Sequence, residues 1–125
     1  MCGRFVSARK RLELLEEFSI ERDRAADGPD SEPDPDYNVA PTKRVFAVME
    51  RRGEDDEPPA RELRVLRWGL VPFWAKEASG GGRLINARAE TVAVKPAFRR
   101  AFAKRRCILP ADGYYEWMSR TEQGK

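Results

Sequence analysis

The chain has 125 residues, enough for one domain with a modest core. It carries 24 Lys and Arg against 21 Asp and Glu, a net charge of +3, and no histidine at all. That composition excludes Ser-His-Asp and Cys-His catalysis within the chain, and two cysteines without a histidine argue against a zinc site. The apolar runs are too short to span a bilayer and the N-terminus lacks the apolar core of a signal peptide. We therefore expect no membrane partner and a place in the cytoplasm, nucleoid-associated when on DNA, or in the nucleus of a nucleated cell.

Met1 is followed by the small residue Cys2 and then by Gly3-Arg4-Phe5. A small second residue is what methionine removal requires, so the mature chain is expected to begin at Cys2. Its α-amine titrates below a lysine and is neutral more often near pH 7, and its thiol sits on the next carbon. An aminothiol of this kind forms an imine with an aldehyde, and the sulfur then closes a five-membered thiazolidine ring. Arg4 would favour the thiolate. The plain alternative is that Cys2 is an ordinary residue of a frayed terminus.

Ser7 is placed to cap a helix reaching about Phe18, with Leu12, Leu15 and Phe18 on one face and Leu14 beside them. Residues 19–36 collect acids, Gly28 and three prolines and read as a surface loop, as do residues 51–61. Between them, Tyr37-Asn38-Val39-Ala40-Pro41 leads into an apolar run at 44–50. A second strand at 62–68 would pair with that run as an antiparallel hairpin.

Residues 68–74 put Trp68, Phe73 and Trp74 close together ahead of a glycine-rich stretch. Such aromatics are either core anchors or a platform for unpaired bases; we expect Trp68 in the core and Trp74 partly exposed. Residues 84–91 read as a short strand entering a polar turn, with Asn86 and Arg88 on the same face, an amide and a guanidinium suited to a sugar and its phosphate. Arg88 could equally pair with a surface acid such as Glu90.

Pro96 opens a short helix through Phe98, Ala101 and Phe102 that ends in Lys104-Arg105-Arg106, part of the densest basic run. That run is compatible with a nucleic-acid partner or with a solvated helix face. Residues 107–111 read as a buried strand, Asp112-Gly113 as a hairpin turn and 114–118 as the returning strand. Glu116, flanked by large aromatics, is either a surface acid or a carboxyl held in a poorly solvated pocket with a raised pKa.

Four segments together resemble the SOS-response-associated peptidase (SRAP) family, also called abasic-site processing proteins. They are Met-Cys-Gly-Arg-Phe at the start, Trp-Gly-Leu-Val-Pro-Phe-Trp at 68–74, Asn-Ala-Arg-Ala-Glu-Thr at 86–91 and Cys-Ile-Leu-Pro-Ala-Asp-Gly-Tyr-Tyr-Glu-Trp at 107–117. The resemblance implies an α+β fold on a curved, barrel-like antiparallel sheet with short flanking helices and a basic groove for single-stranded DNA. It implies that Cys2 captures the aldehyde of an abasic site as a thiazolidine crosslink, without cofactor or metal. Asn86 would hold the sugar-derived part, Arg88 and Arg4 the phosphate, and Glu116 would move protons. Pro41 and Trp74 would border the place where bases unstack.

Members of that family run well beyond this length and complete the site with a histidine from their C-terminal half. The expectation is therefore the N-terminal part of a single such domain, with a separate C-terminal half as one candidate source of the histidine. Ring opening, strand cleavage and crosslink reversal are assigned to that histidine in the family. The competing functions are a thiol peptidase that exposes its own N-terminus, a noncovalent single-strand-binding module and an inactive fragment.

Overall fold

The computed structural model describes residues 1–27, 32–52 and 57–119. Six strands, β1 (Arg4–Ser7), β2 (Arg22–Asp23), β3 (Asp36–Val39), β4 (Arg44–Arg51), β5 (Ala60–Arg67) and β6 (Gly113–Tyr115), are joined by helix α1 (Arg11–Glu17), a 3-10 turn (Ala78–Arg83) and helix α2 (Arg99–Lys104). The architecture is mixed α/β, with two three-stranded sheets in the orders β3-β1-β6 and β2-β5-β4. Among the described residues no barrel closes. The two sheets do not pair with each other, and the segment expected to continue the sheet at 107–111 makes a single bridge, Ile108 with Val48 of β4.

Strand β4 explains how two sheets share one small interior. Its run Val45 to Val48 is buried on both faces, which is why it reads as continuously apolar rather than alternating. Phe46 and Val48 enter one core with Leu14, Ala25 and Leu63, against which Leu15, Phe18, Ile20 and Val65 pack. Val45 points the other way into a core of Phe5, Val39 and Trp68, with Cys2, Ile85 and Leu109 packed on its margin. The Phe5 and Trp68 rings meet edge to face at 5.0 Å between centroids.

The expected β4-β5 hairpin is present, in register from Arg44 opposite Arg67 to Arg51 opposite Ala60. Both strands run into the expected 51–61 loop, whose tip at 53–56 lies outside the described residues. The 19–36 stretch is not all loop either. Arg22 and Asp23 form β2, parallel to β5, and Asp36 begins β3. The acids and prolines concealed this because two residues carry too little periodicity to register as a strand.

Helix α1 begins later than expected, because Ser7 belongs to β1, held there by β3 and β6. Lys10 takes the N-cap position and its backbone N–H donates to Glu13 Oε2 at 2.7 Å. Leu14, not Leu12, is the buried anchor; Leu12 is 69% exposed. At the other end, Ser19 N–H donates to the Glu16 carbonyl at 3.1 Å and Ile20 N–H to the Leu15 carbonyl at 2.9 Å. Those two bonds make a Schellman motif, with Ser19 at φ 50° in the left-handed position that glycine usually fills.

Three further expectations give way in the C-terminal third. Residues 84–91 form no strand; Leu70 N–H donates to the Leu84 carbonyl at 3.0 Å, and a turn follows in which the Arg88 carbonyl accepts from Thr91 and Val92. Cys107 and Ile108 are exposed rather than buried. Asp112-Gly113 is not a hairpin turn: the Asp112 carboxylate accepts from Ala8 N–H at 2.8 Å and from Arg9 Nε at 3.1 Å, while its own N–H bonds the Val6 carbonyl. The returning strand β6 therefore pairs with β1, not with 107–111, and ends at Tyr115.

Candidate active site at the N-terminus

The β3-β1-β6 sheet carries the N-terminus over its surface. In β1 the side chains alternate, so Phe5 enters the core while Arg4 turns to the opposite face. Cys2 precedes this strand, partly buried against the Phe5–Trp68 core, and its thiol donates to the Arg4 carbonyl at 3.3 Å.

Asn86 and Glu116, both from the C-terminal third of the chain, reach the N-terminal segment. The Asn86 side-chain amide donates to the Cys2 carbonyl at 2.8 Å. The Glu116 carboxylate, just past β6, pairs with the Met1 ammonium at 3.0 Å. Glu116 is about half exposed, and its hydrogen bond from the N-terminal ammonium holds its carboxyl below the usual carboxylate range. Of the two alternatives the surface acid holds and the poorly solvated carboxyl with a raised pKa does not: a cation faces this acid and water reaches it.

Two recesses flank the terminus. A cavity of about 810 Å³ is walled by Met1, Gly3, Arg4, Asn38, Glu116 and Trp117. A second, of about 300 Å³, lies on the core side, where Cys2 and Asn86 share the wall with Phe5, Trp68 and Tyr114. Arg4 and Glu116 thus face one recess and Asn86 the other, with the Met1-Cys2 unit between them.

Arg4 is held by Asn38, whose Oδ1 accepts from the guanidinium at 3.1 Å. Sequence reasoning missed Asn38, although its place within the Tyr37–Pro41 segment, one residue before the buried Val39, was a signal. Tyr115 was also missed; its hydroxyl donates to the Tyr37 carbonyl at 2.8 Å and ties β6 to β3 across β1. Asp36 accepts from Lys43 Nζ at 2.6 Å and from Asn38 N–H at 2.8 Å, and these bonds lower its pKa.

Pro41, Trp74 and Arg88 line neither recess. Pro41 begins the turn from β3 to β4, partly buried. Arg88 is exposed, and its guanidinium has no acidic partner among the described residues, so the alternative pairing with Glu90 is not made. Trp74 is 52% exposed and Trp68 buried, the division expected from sequence, and Trp74 packs edge to face on Phe73 at 5.0 Å. Among the described residues no group of three or more His, Cys, Asp and Glu could hold a metal ion, and no helix is long and apolar enough to cross a membrane.

The fold is thus a mixed α/β domain that holds its N-terminal Met-Cys between the Asn86 amide and the Glu116 carboxylate. The family model for SOS response associated peptidase (SRAP) matches residues 1–125, and the chain belongs to that family. It is 42% identical over 117 residues to the abasic site processing protein YoaM of Bacillus subtilis, covering 94% of this chain and 47% of that protein. It is 40% identical over 120 residues to the abasic site processing protein YedK of Escherichia coli, covering 94% and 48%. A crystal structure of a protein from Bacteroides thetaiotaomicron superposes with a TM-score of 0.72 at 27% identity, covering 95% of this chain and 50% of that one. The chain spans about half the length of the relatives it matches.

Proposed function

We infer that this chain captures abasic sites in single-stranded DNA through the amine and thiol of Cys2, as part of the DNA damage response. The observation that carries the reading is the bracketing of the N-terminus by Asn86 at the Cys2 carbonyl and Glu116 at the terminal ammonium. Membership of the SRAP family and similarity to proteins named for abasic-site processing support it.

The chemistry follows from the groups present. Hydrolysis of the Met1–Cys2 bond frees an amine at Cys2, one residue along from the amine that Glu116 now pairs with. That amine, once neutral, adds to the ring-opened sugar aldehyde, and the resulting carbinolamine loses water to give an imine. The thiolate then adds to the imine carbon and a proton returns to nitrogen, closing a thiazolidine with net loss of one water. Glu116 accepts the ammonium proton and delivers it to the departing hydroxyl. Asn86 fixes the direction of the Cys2 backbone, so that amine and thiol face one electrophile. Arg4 and the unpaired Arg88 supply charge for phosphate, and Pro41 and Trp74 border the strand where its bases unstack.

The peptidase reading fares less well, because the thiol's partner in the structure is the Arg4 carbonyl rather than a base. The test is a denaturing gel of the chain with single-stranded DNA carrying one abasic site, beside Cys2→Ala. A heat-stable adduct formed without borohydride and lost in the variant supports thiazolidine capture. An adduct that persists in Cys2→Ala, or needs borohydride, refutes it.

A further inference from the structure

The basic run that ends α2 takes no part in the site at the N-terminus, yet it lines a groove of its own. A cavity of about 500 Å³ lies between the β4-β5 hairpin, including the loop end of β4, and the C-terminal end of α2. Its wall includes Arg51 and Arg64 from the strands and Lys104, Arg105 and Arg106 from the helix end, against one acid, Glu50. Arg64 is committed to Glu62 at 2.8 Å, and Glu50 approaches Arg61 at 3.7 Å. Arg51, Lys104, Arg105 and Arg106 have no acidic partner among the described residues. So dense a set of uncompensated like charges around one depression calls for a polyanion.

Aromatic rings adjoin the same helix. The Arg100 guanidinium lies over the Phe73 ring at 4.7 Å, and Phe73 packs on the half-exposed Trp74. Arg106 lies over Phe102 at 5.3 Å. Arg100 and Lys104 are four residues apart and share a face of α2, so the helix joins the Phe73–Trp74 platform to the cationic groove. Rings for bases continuing into cations for phosphates are the two components of a single-strand-binding surface.

We propose that the α2 groove, with Lys104, Arg105, Arg106 and Arg51, is a second contact for the sugar-phosphate backbone of single-stranded DNA, separate from the recesses beside Cys2. It deepens the reading of the chain as a DNA-acting protein, because it holds undamaged strand and so raises the local concentration of abasic sites. It requires no abasic aldehyde and no thiol, which lets the two claims fail separately.

The test uses the full chain carrying Cys2→Ala and a fluorescein-labelled 20-mer of thymidylate, with binding followed by anisotropy across a salt series. Replacing Lys104, Arg105 and Arg106 together by Gln should weaken binding at least tenfold at low salt. It should also reduce the slope of log K against log salt by about 2, given about 0.7 per phosphate contact. Arg51→Gln, at a strand end and away from the helix, should lower the slope by about 0.7, which guards against a helix defect in the triple variant. Trp74→Ala should weaken binding with little change of slope. In an otherwise wild-type chain, the triple Gln variant should need more abasic DNA for half-maximal crosslinking but reach the wild-type rate at saturation. Unchanged affinity and slope in the triple variant and in Arg51→Gln would overturn the proposal even if crosslinking proceeds. Equal binding of poly-glutamate, insensitive to Trp74→Ala, would overturn it in favour of an acidic protein partner.

Discussion

The Asn86 amide donates a 2.8 Å hydrogen bond to the Cys2 carbonyl across 84 positions of sequence. The bond fixes the peptide that follows the nucleophile and leaves the thiol and the prospective amine on the other side of the α-carbon. A neutral hydrogen bond of this kind contributes about 1 kcal/mol net, worth about fivefold in rate if it is needed to orient the attack. Asn86→Ala should therefore slow crosslinking about fivefold with little change in thermal midpoint. Asn86→Asp should be slower still, since a carboxylate would face the carbonyl oxygen. Single-turnover crosslinking of the two variants is the measurement.

Glu116 gives a pH signature. Its folded pKa lies below the ordinary value because the N-terminal ammonium hydrogen-bonds it. A depressed carboxylate contributes above its unfolded pKa and loses that contribution as pH falls through the folded one. In the chain that retains Met1, the contribution of this ion pair to stability should accordingly persist on the acid side until below the ordinary glutamate range. Glu116→Gln should remove that acid-side dependence and, in the chain lacking Met1, slow crosslinking near neutrality. Denaturation of both proteins across acid pH, and single-turnover crosslinking near neutrality, decide it.

Ser19 offers a gain rather than a loss. It occupies the left-handed position of the Schellman motif that closes α1, where a Cβ is unfavourable. Ser19→Gly should stabilise the chain by about 0.5 to 1 kcal/mol, partly offset by the greater freedom of glycine in the unfolded chain. Urea denaturation should show a higher midpoint at unchanged slope.

Glu62 is 3% exposed yet charged, on the strand that carries the fully buried Leu63. Burial pushes its pKa up, but Arg64 at 2.8 Å and the charges of Arg24 and Arg22 outweigh this and hold it below the ordinary range. Its stabilisation is present above the unfolded carboxylate pKa and disappears as pH falls through the folded one. Glu62→Gln should cost about 2 kcal/mol near neutrality, with the gap to wild type narrowing under acid. Leu63→Ala should cost about 3 kcal/mol at every pH, because only packing is lost. Denaturation at neutral and acid pH separates the two.

The parts legible in the sequence were those with strong local patterns. The Val45 to Val48 run and the alternation of Leu63 and Val65 located the β4-β5 hairpin, and the aromatic spacing separated Trp68 from Trp74. Asn86 and Glu116 stood out from the residues, the one as an amide alternating with Arg88 and the other as an acid among aromatics; the family resemblance gave them roles, and both stand at the N-terminus. What escaped was set by long-range pairing. Asp112-Gly113 has every local mark of a hairpin turn, but the Asp112 carboxylate is used by Ala8 and Arg9, so β6 joins β1 instead. Ser7 looks like a helix cap but is held in a strand, and Glu116 lies among exposed aromatics, with Trp117 97% exposed, rather than in a dry pocket. In residues 84–91 the polar turn was legible and is present, whereas the short strand expected to enter it does not form.

The most direct test is intact-mass and digest mass spectrometry of the adduct formed with an abasic single strand. The account predicts a product at the mass of the chain lacking Met1 plus the DNA less one water, with the sugar remnant mapped to the Cys2 amine and sulfur. An adduct that retains Met1, or one mapped to a lysine, would contradict it.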